Sequence, residues 1–326
     1  MTLTRLQVAD PRGKTAAAIV LLSLLWAADI LRPDLLPGLS PNQPPPLQRQ
    51  ALAFAIFTVA SGIAAFRRRS TFQLSLIAKP VVVAIGMFAF PAVLFLVSSN
   101  SIDGFGRLAL LTLTPLFALV FEPYLAAVGS SRLNQSGGLQ DGNRLAAALA
   151  SVAGAFLVFP ISMPSTLLAG AAFAGIIVAA ASIAAANCIA VAAFADSQKD
   201  GGSSVPGTSL AVAIGVAATL ALAVLSAVIE HPVWNWQRWQ PELLWSFCIQ
   251  VPSLLLLFWL MQRTTAVRLA TRYVLSPLIA VIAGAVFVRP AFDARMALGL
   301  LLMAVGAGWL LFVPESTTEP QGLRLR

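Results

Sequence analysis

The chain has 326 residues, 58% of them hydrophobic and 10% charged, against roughly 25% charged in an average soluble protein. That composition excludes a soluble two-domain enzyme, because apolar runs of about 20 residues, enough to cross a ~30 Å hydrocarbon core, fill most of the length. The formal charge of +8 would point to nucleic acid in a soluble protein; here it belongs to the basic loops that multi-pass proteins keep in the cytoplasm, and no nucleic-acid partner is expected.

In chain order, the apolar runs predict ten spans at about 15–31, 50–66, 77–97, 107–127, 144–161, 166–194, 208–229, 243–261, 270–288 and 295–313. The first follows Arg5, Arg12 and Lys14 but ends in LeuTrpAlaAlaAsp, without a small-x-small cleavage site, so it reads as an uncleaved span. Turn formers mark the connections: ProAsnGlnProProPro at 41–46, SerGlyGly at 136–138 and AspGlyGlySerSer at 200–204. None is long enough for a soluble domain. Counting Lys and Arg in alternate loops gives fifteen on the N-terminal side and six on the other, which predicts both termini in the cytoplasm.

Prolines interrupt the apolar runs where a helix would lose a hydrogen bond. Pro252 follows Pro91 by 161 residues, and Pro277 follows Pro115 by 162, close to half the chain. An Arg-Leu-Ala precedes each of the second pair, at Arg107 and at Arg268. Two prolines recurring at one offset predict a duplicated unit, 1–163 and 164–326, forming one integral membrane domain. Five spans per unit is an odd number, so the fold class expected is an all-α polytopic membrane protein with ten transmembrane helices in two inverted five-helix repeats.

With these features in hand, the chain resembles the drug/metabolite transporter superfamily, EamA type. The matching residues are Trp26 near the end of span one, followed by Ala where the family usually has Gly; Arg49 at the head of span two; LeuThrLeuThrProLeuPheAlaLeu around Pro115, with Glu122 closing the span; and SerProLeuIleAla around Pro277, followed by Gly299 and Gly306. The resemblance covers nearly the whole chain and implies ten spans in two five-helix repeats. Two departures stand out: Arg289 replaces the acidic residue at the end of span nine, and the stretch 124–142 lengthens the connection between spans four and five.

Polar residues inside spans are costly and therefore informative. Asp29 lies one turn from Trp26, and Arg49 begins span two at the same level. The three form either a cluster facing an outer vestibule, with Arg49 selecting solutes that carry a carboxylate, or ordinary helix-end charges. Asn187 in span six lies within about one residue of the position corresponding to Asp29 in the second unit, and Gln250 adjoins Pro252. Either contacts solute or serves as interhelical hydrogen-bond glue. Arg272 and Tyr273, at the inner end of span nine, face a cytoplasmic vestibule or snorkel to the headgroups. Pro91, Pro115, Pro252 and Pro277 are expected to act as helix breaks or gates. The tryptophans around the loop after span seven, Trp234, Trp236, Trp239 and Trp245, fit an interfacial belt or solute stacking.

Cys188 and Cys248 lack CxxC spacing, His231 is the one histidine, and no HExxH or Asp-rich pair occurs. No metal or cofactor is expected, and no enzyme activity. The function expected is a secondary transporter, an exporter or exchanger of a small polar metabolite working by alternating access in the cytoplasmic membrane. The alternatives are an integral-membrane transferase and a non-transporting scaffold or sensor. The partners expected are a small-molecule substrate and membrane lipids, with homodimerisation left open.

Overall fold

The computed structural model describes residues 11–35, 43–67, 78–129, 139–161, 164–199, 207–288 and 293–312. Among the described residues ten helices follow one another: α1 (Pro11–Leu35), α2 (Pro46–Arg67), α3 (Ala78–Ser98), α4 (Gly104–Tyr124), α5 (Leu139–Val158), α6 (Leu167–Lys199), α7 (Gly207–Ile229), α8 (Trp236–Met261), α9 (Ala266–Ala285) and α10 (Ala294–Phe312). No strand occurs among the described residues. Nine of these helices are long and apolar enough to cross a membrane, and α5 contributes a shorter apolar stretch, Gly142–Val158. The chain is therefore a multi-pass, all-helical membrane protein. The connections at 136–138 and 200–204, and Arg289, lie outside the described residues.

Helix α8 begins seven residues before the expected start at 243, because its first two turns carry Gln237, Arg238, Gln240 and Glu242 and fall below the apolarity of a span. The helix still forms: Asn235 caps it by accepting from the Gln237 N–H at 3.0 Å.

The interrupting prolines meet the lost hydrogen bond in three ways. In α3 a π-turn, Ile85–Ala89, precedes Pro91, and in α8 a π-turn, Ser246–Gln250, precedes Pro252. The two π-turns recur at the same 161-residue offset as their prolines. In the first, the Phe90 N–H bonds the Ile85 carbonyl in place of Gly86's. Pro91 has no N–H to offer Gly86, and Ser182 Oγ of α6 donates to that carbonyl at 2.8 Å. Pro115 does not sit in a continuous helix, as its apolar run predicted. Helix α4 breaks at Thr112–Leu113 and restarts at Thr114, so Pro115 falls in a first turn, where its missing donor is an orphan anyway. Of these four prolines, only Pro277 lies inside an unbroken stretch, Arg272–Val288, and it leaves the Tyr273 carbonyl without its i+4 donor.

Packing places α9 in the middle: 67% of its span is buried, against 44% or less for the others. It packs on α1, as α4 packs on α6; α2 packs on α7, and α5 on α10. Where α5 meets α10, backbone approaches backbone. A Cβ added to Gly154 would lie 2.6 Å from the Gly299 carbonyl oxygen, and one on Gly299 would lie 2.7 Å from that of Gly154. One on Gly306 would lie 2.5 Å from the Ala147 carbonyl oxygen. Small residues permit this approach between apolar helices, where van der Waals contact drives association.

Gly154→Val and Gly299→Val should each cost about 1–3 kcal/mol by overpacking. Gly308→Ala, in the same helix with open space around it, should be neutral. Thermal unfolding of the purified protein in detergent checks the contrast.

Candidate functional site

The N-terminus of α2 and the α7–α8 connection meet at one end of the bundle, tied by polar groups from distant parts of the chain. Glu230, just past α7, accepts from the N–H groups of Leu47 and Gln48 at 3.0 and 3.3 Å, so a carboxylate caps the N-terminus of α2. Ser226 Oγ donates to the same carboxylate at 2.9 Å. The Gln48 amide pairs with both polar groups of the Val233 peptide, and Trp239 Nε1 donates to the Val233 carbonyl at 2.9 Å.

Beside this clasp lies a buried ion cluster. Arg32 of α1 holds Glu242 of α8 through both guanidinium nitrogens, Nη1 to Oε1 at 2.7 Å and Nη2 to Oε2. Arg49 Nη1 stands 3.5 Å from Glu242 Oε1 and donates to Gln43 Oε1 at 2.8 Å. The Arg32 guanidinium lies 5.0 Å from the Trp245 ring centroid, and Trp245 Nε1 donates to Asp29 Oδ1 at 2.7 Å. Five side chains on three helices are thereby linked.

A cavity of about 570 Å³ extends from this end into the bundle. Exposed Asp29, Gln50 and Ser99 stand at its rim. Deeper, its wall carries Trp26, Phe88, Pro91, Arg107, Gln250, Tyr273, Ser276 and Pro277. Beyond it, towards the other end of α2, the rings of Phe57 and Phe258 stack at 4.9 Å, and Phe194 meets Phe258 edge-on at 6.2 Å. All three phenylalanines are buried. They fill the bundle on the side away from the rim.

Of the expected site residues, Trp26, Asp29, Gln250, Tyr273, Pro91 and Pro277 line this cavity, whereas Arg49, Asn187, Arg272, Pro115 and Pro252 do not. Arg49 belongs to the Glu242 cluster, and Arg107 supplies the guanidinium of the cavity wall, its Nη1 donating to the Phe95 carbonyl at 2.8 Å. Arg272 and Tyr273 do not snorkel: they are 0% and 6% exposed, because α9 begins at Ala266 and Trp26 covers them. Asn187 is fully buried, and neither polar atom of its amide has a partner. The 161-residue offset of the π-turns aligns Asn187 with Trp26, and it aligns Asp29 with Ala190. Gln250 accepts from Ser246 Oγ at 2.9 Å, a bond within its own π-turn.

Sequence reasoning missed the Arg32–Glu242 pair, since 210 residues separate the partners, and it missed Ser276, an ordinary serine beside a proline. Among the described residues, no three His, Cys, Asp or Glu side chains stand close enough to hold a metal ion.

No protein-family model matches the chain. No curated protein matches it either. A protein of known crystal structure shares the fold at a TM-score of 0.68, with 17% identity over 92% of this chain and 99% of that one.

Glu242→Gln leaves the buried Arg32 guanidinium without a carboxylate and should cost about 3–5 kcal/mol. Arg49→Ala removes a partner that is 23% exposed and should cost less than about 1 kcal/mol. The apparent Tm of the two purified variants separates these outcomes.

Proposed function

We propose that this protein is a secondary transporter of a small polar metabolite, an exporter or exchanger of the drug/metabolite transporter superfamily, EamA type, working by alternating access across the cytoplasmic membrane. The observation that carries the reading is the pair of π-turn and proline breaks in α3 and α8. They stand at one offset, and both border the cavity, through Pro91 on one side and through Gln250 and Ser253 on the other. A helix interrupted beside a wet cavity is tolerated in a membrane and is the usual frame of a carrier's solute site.

Further support comes from the packing pairs. Exchanging α1 with α6, α2 with α7, α3 with α8, α4 with α9 and α5 with α10 turns the α1–α9 pair into α6–α4. It leaves α2–α7 and α5–α10 unchanged as pairs. Within the last pair, the Gly154–Gly299 contact maps onto Gly306–Ala147 at an offset of 152 residues. The drop from 161 to 152 matches the longer stretch 124–142 of the first half. This pattern is the one two inverted five-helix repeats would make.

With both termini in the cytoplasm, the rim at Asp29 and Gln50 faces outward and the Phe57, Phe194 and Phe258 cluster closes the path inward. Solute then passes when the repeats rock and that cluster parts.

Three tests follow. A reporter fused after Arg326 should read as cytoplasmic; a reading outside reverses the orientation. Pro277→Ala should impair transport more than membrane insertion, and more than Pro115→Ala, because only Pro277 interrupts a continuous helix and lines the cavity. Equal transport by both variants and the parent removes the gating role. A metabolite library screened for stabilisation of the purified protein, followed by counterflow of each binder in proteoliposomes, tests transport itself. Binders that never exchange across the bilayer would overturn the carrier reading.

A further inference from the structure

Arg272 is the largest side chain the bundle buries completely. Its guanidinium carbon lies 4.8 Å from the Trp26 ring centroid and 4.8 Å from that of Tyr273, and the two rings meet edge-on at 5.4 Å. Nη2 donates to Tyr273 Oη at 3.1 Å, while Nε and Nη1 have no hydrogen-bond partner. Among the described residues, no carboxylate stands within ion-pair distance of it, in contrast to Arg32 and Arg49, which share Glu242. Two ring faces return only part of what burying a cation costs in a low-dielectric bundle. The site is therefore short of one negative charge.

The cavity lies on the other face of this wall. Trp26 and Tyr273 line it, and so does Ser276, one turn beyond Tyr273 on α9. Ser276 is 2% exposed and its hydroxyl has no partner. The Tyr273 oxygen already accepts from Arg272, so its own proton is left to donate, and a phenol that accepts from a cation is a stronger donor. Arg107 adds a second positive charge on the cavity wall, and its Nε has no partner. Asp29, the one carboxylate among the lining residues, is engaged by Trp245. Leu25, Phe54, Met87 and Phe88 give the wall a large apolar share.

We propose that the corner formed by Trp26, Tyr273 and Ser276 is the subsite for the carboxylate of an apolar-bodied organic acid, with Arg272 supplying the compensating charge through Tyr273. The proposal rests on the cavity being the solute site of the carrier described above. The anion accepts from the hydroxyls of Tyr273 and Ser276 and neutralises the buried guanidinium from across the tyrosine. Its apolar body lies against the phenylalanines.

The test compares phenylacetate and indole-3-acetate with phenylacetamide, indole-3-acetamide and phenethylamine as stabilisers of the full chain, purified in detergent, by thermal unfolding. The two acids should raise the apparent Tm, and the amides and the amine should not. Arg272→Met should leave the unliganded Tm unchanged or higher, since it replaces an uncompensated charge with an apolar side chain, and should abolish the response to acids. Ser276→Ala should weaken that response by about tenfold, the loss of one charge-assisted hydrogen bond, at an unchanged unliganded Tm. Amides that stabilise as well as the acids, no response to either acid, or a wild-type response in Arg272→Met would each overturn the subsite. If Arg272→Met fails to fold, the acid and amide comparison with Ser276→Ala decides. Acids that bind without crossing proteoliposomes would sink the carrier reading and leave the subsite standing; transport of neutral solutes without acid binding would do the reverse.

Discussion

Every part of this bundle answers to one constraint: within the hydrocarbon a backbone N–H or carbonyl has no water to turn to, so each break in a helix needs its own partner. Pro91 would leave the Gly86 carbonyl bare, and the π-turn before it and the hydroxyl of Ser182 on α6 meet the deficit together. Thr112 and Thr114 fold their hydroxyls back onto the carbonyls of Ala109 and Leu111 at 2.6 and 2.7 Å, covering the break in α4. Thr271 does the same for α9, its hydroxyl reaching the Val267 carbonyl at 3.2 Å. Met87, Leu111 and Ile183, each next in sequence to one of these groups, line the cavity. Broken backbone is tolerable in a membrane only where protein or a wet space surrounds it.

Charge follows the same accounting at a larger scale. Around the N-terminus of α2, Glu242 is shared by two arginines and Glu230 is spent on a helix terminus, so each carboxylate has donors on more than one helix. Arg272, in the core, stands apart from this pattern, with aromatic faces and a phenol as its surroundings. The contrast separates charges that hold helices together from one without a carboxylate partner among the described residues.

The all-helical, multi-pass class was legible because composition and apolar run length are set directly by the bilayer, and nine of the described helices meet that standard. The proline offset was legible too, since a proline is visible without any partner. What the sequence concealed was pairing. Glu242 looked like a loop residue because its neighbours Arg238 and Gln240 lowered local hydropathy, and nothing near it in sequence points to Arg32. Arg272 looks like a helix-end charge in the sequence because the apolar run begins at about 270. Its burial depends on Trp26, which reaches it from the first helix of the bundle. Arg49 and Arg107 resemble each other in sequence, each a cation at the head of a helix; only the tertiary arrangement gives one to an ion cluster and the other to the cavity.

Where α5 crosses α10, Gly154 and Gly299 bring main chain against main chain. Most helix contacts lock through interdigitated side chains, and shifting one helix on the other then forces rotamers out of their wells and back. Glycine has no rotamers to lose. Around Gly154 and Gly299 the crossing presents smooth backbone, so a small slide or twist there forces few side chains to reorder. The tightest approach between these helices is for that reason also the place where a slide would put little conformational entropy at stake.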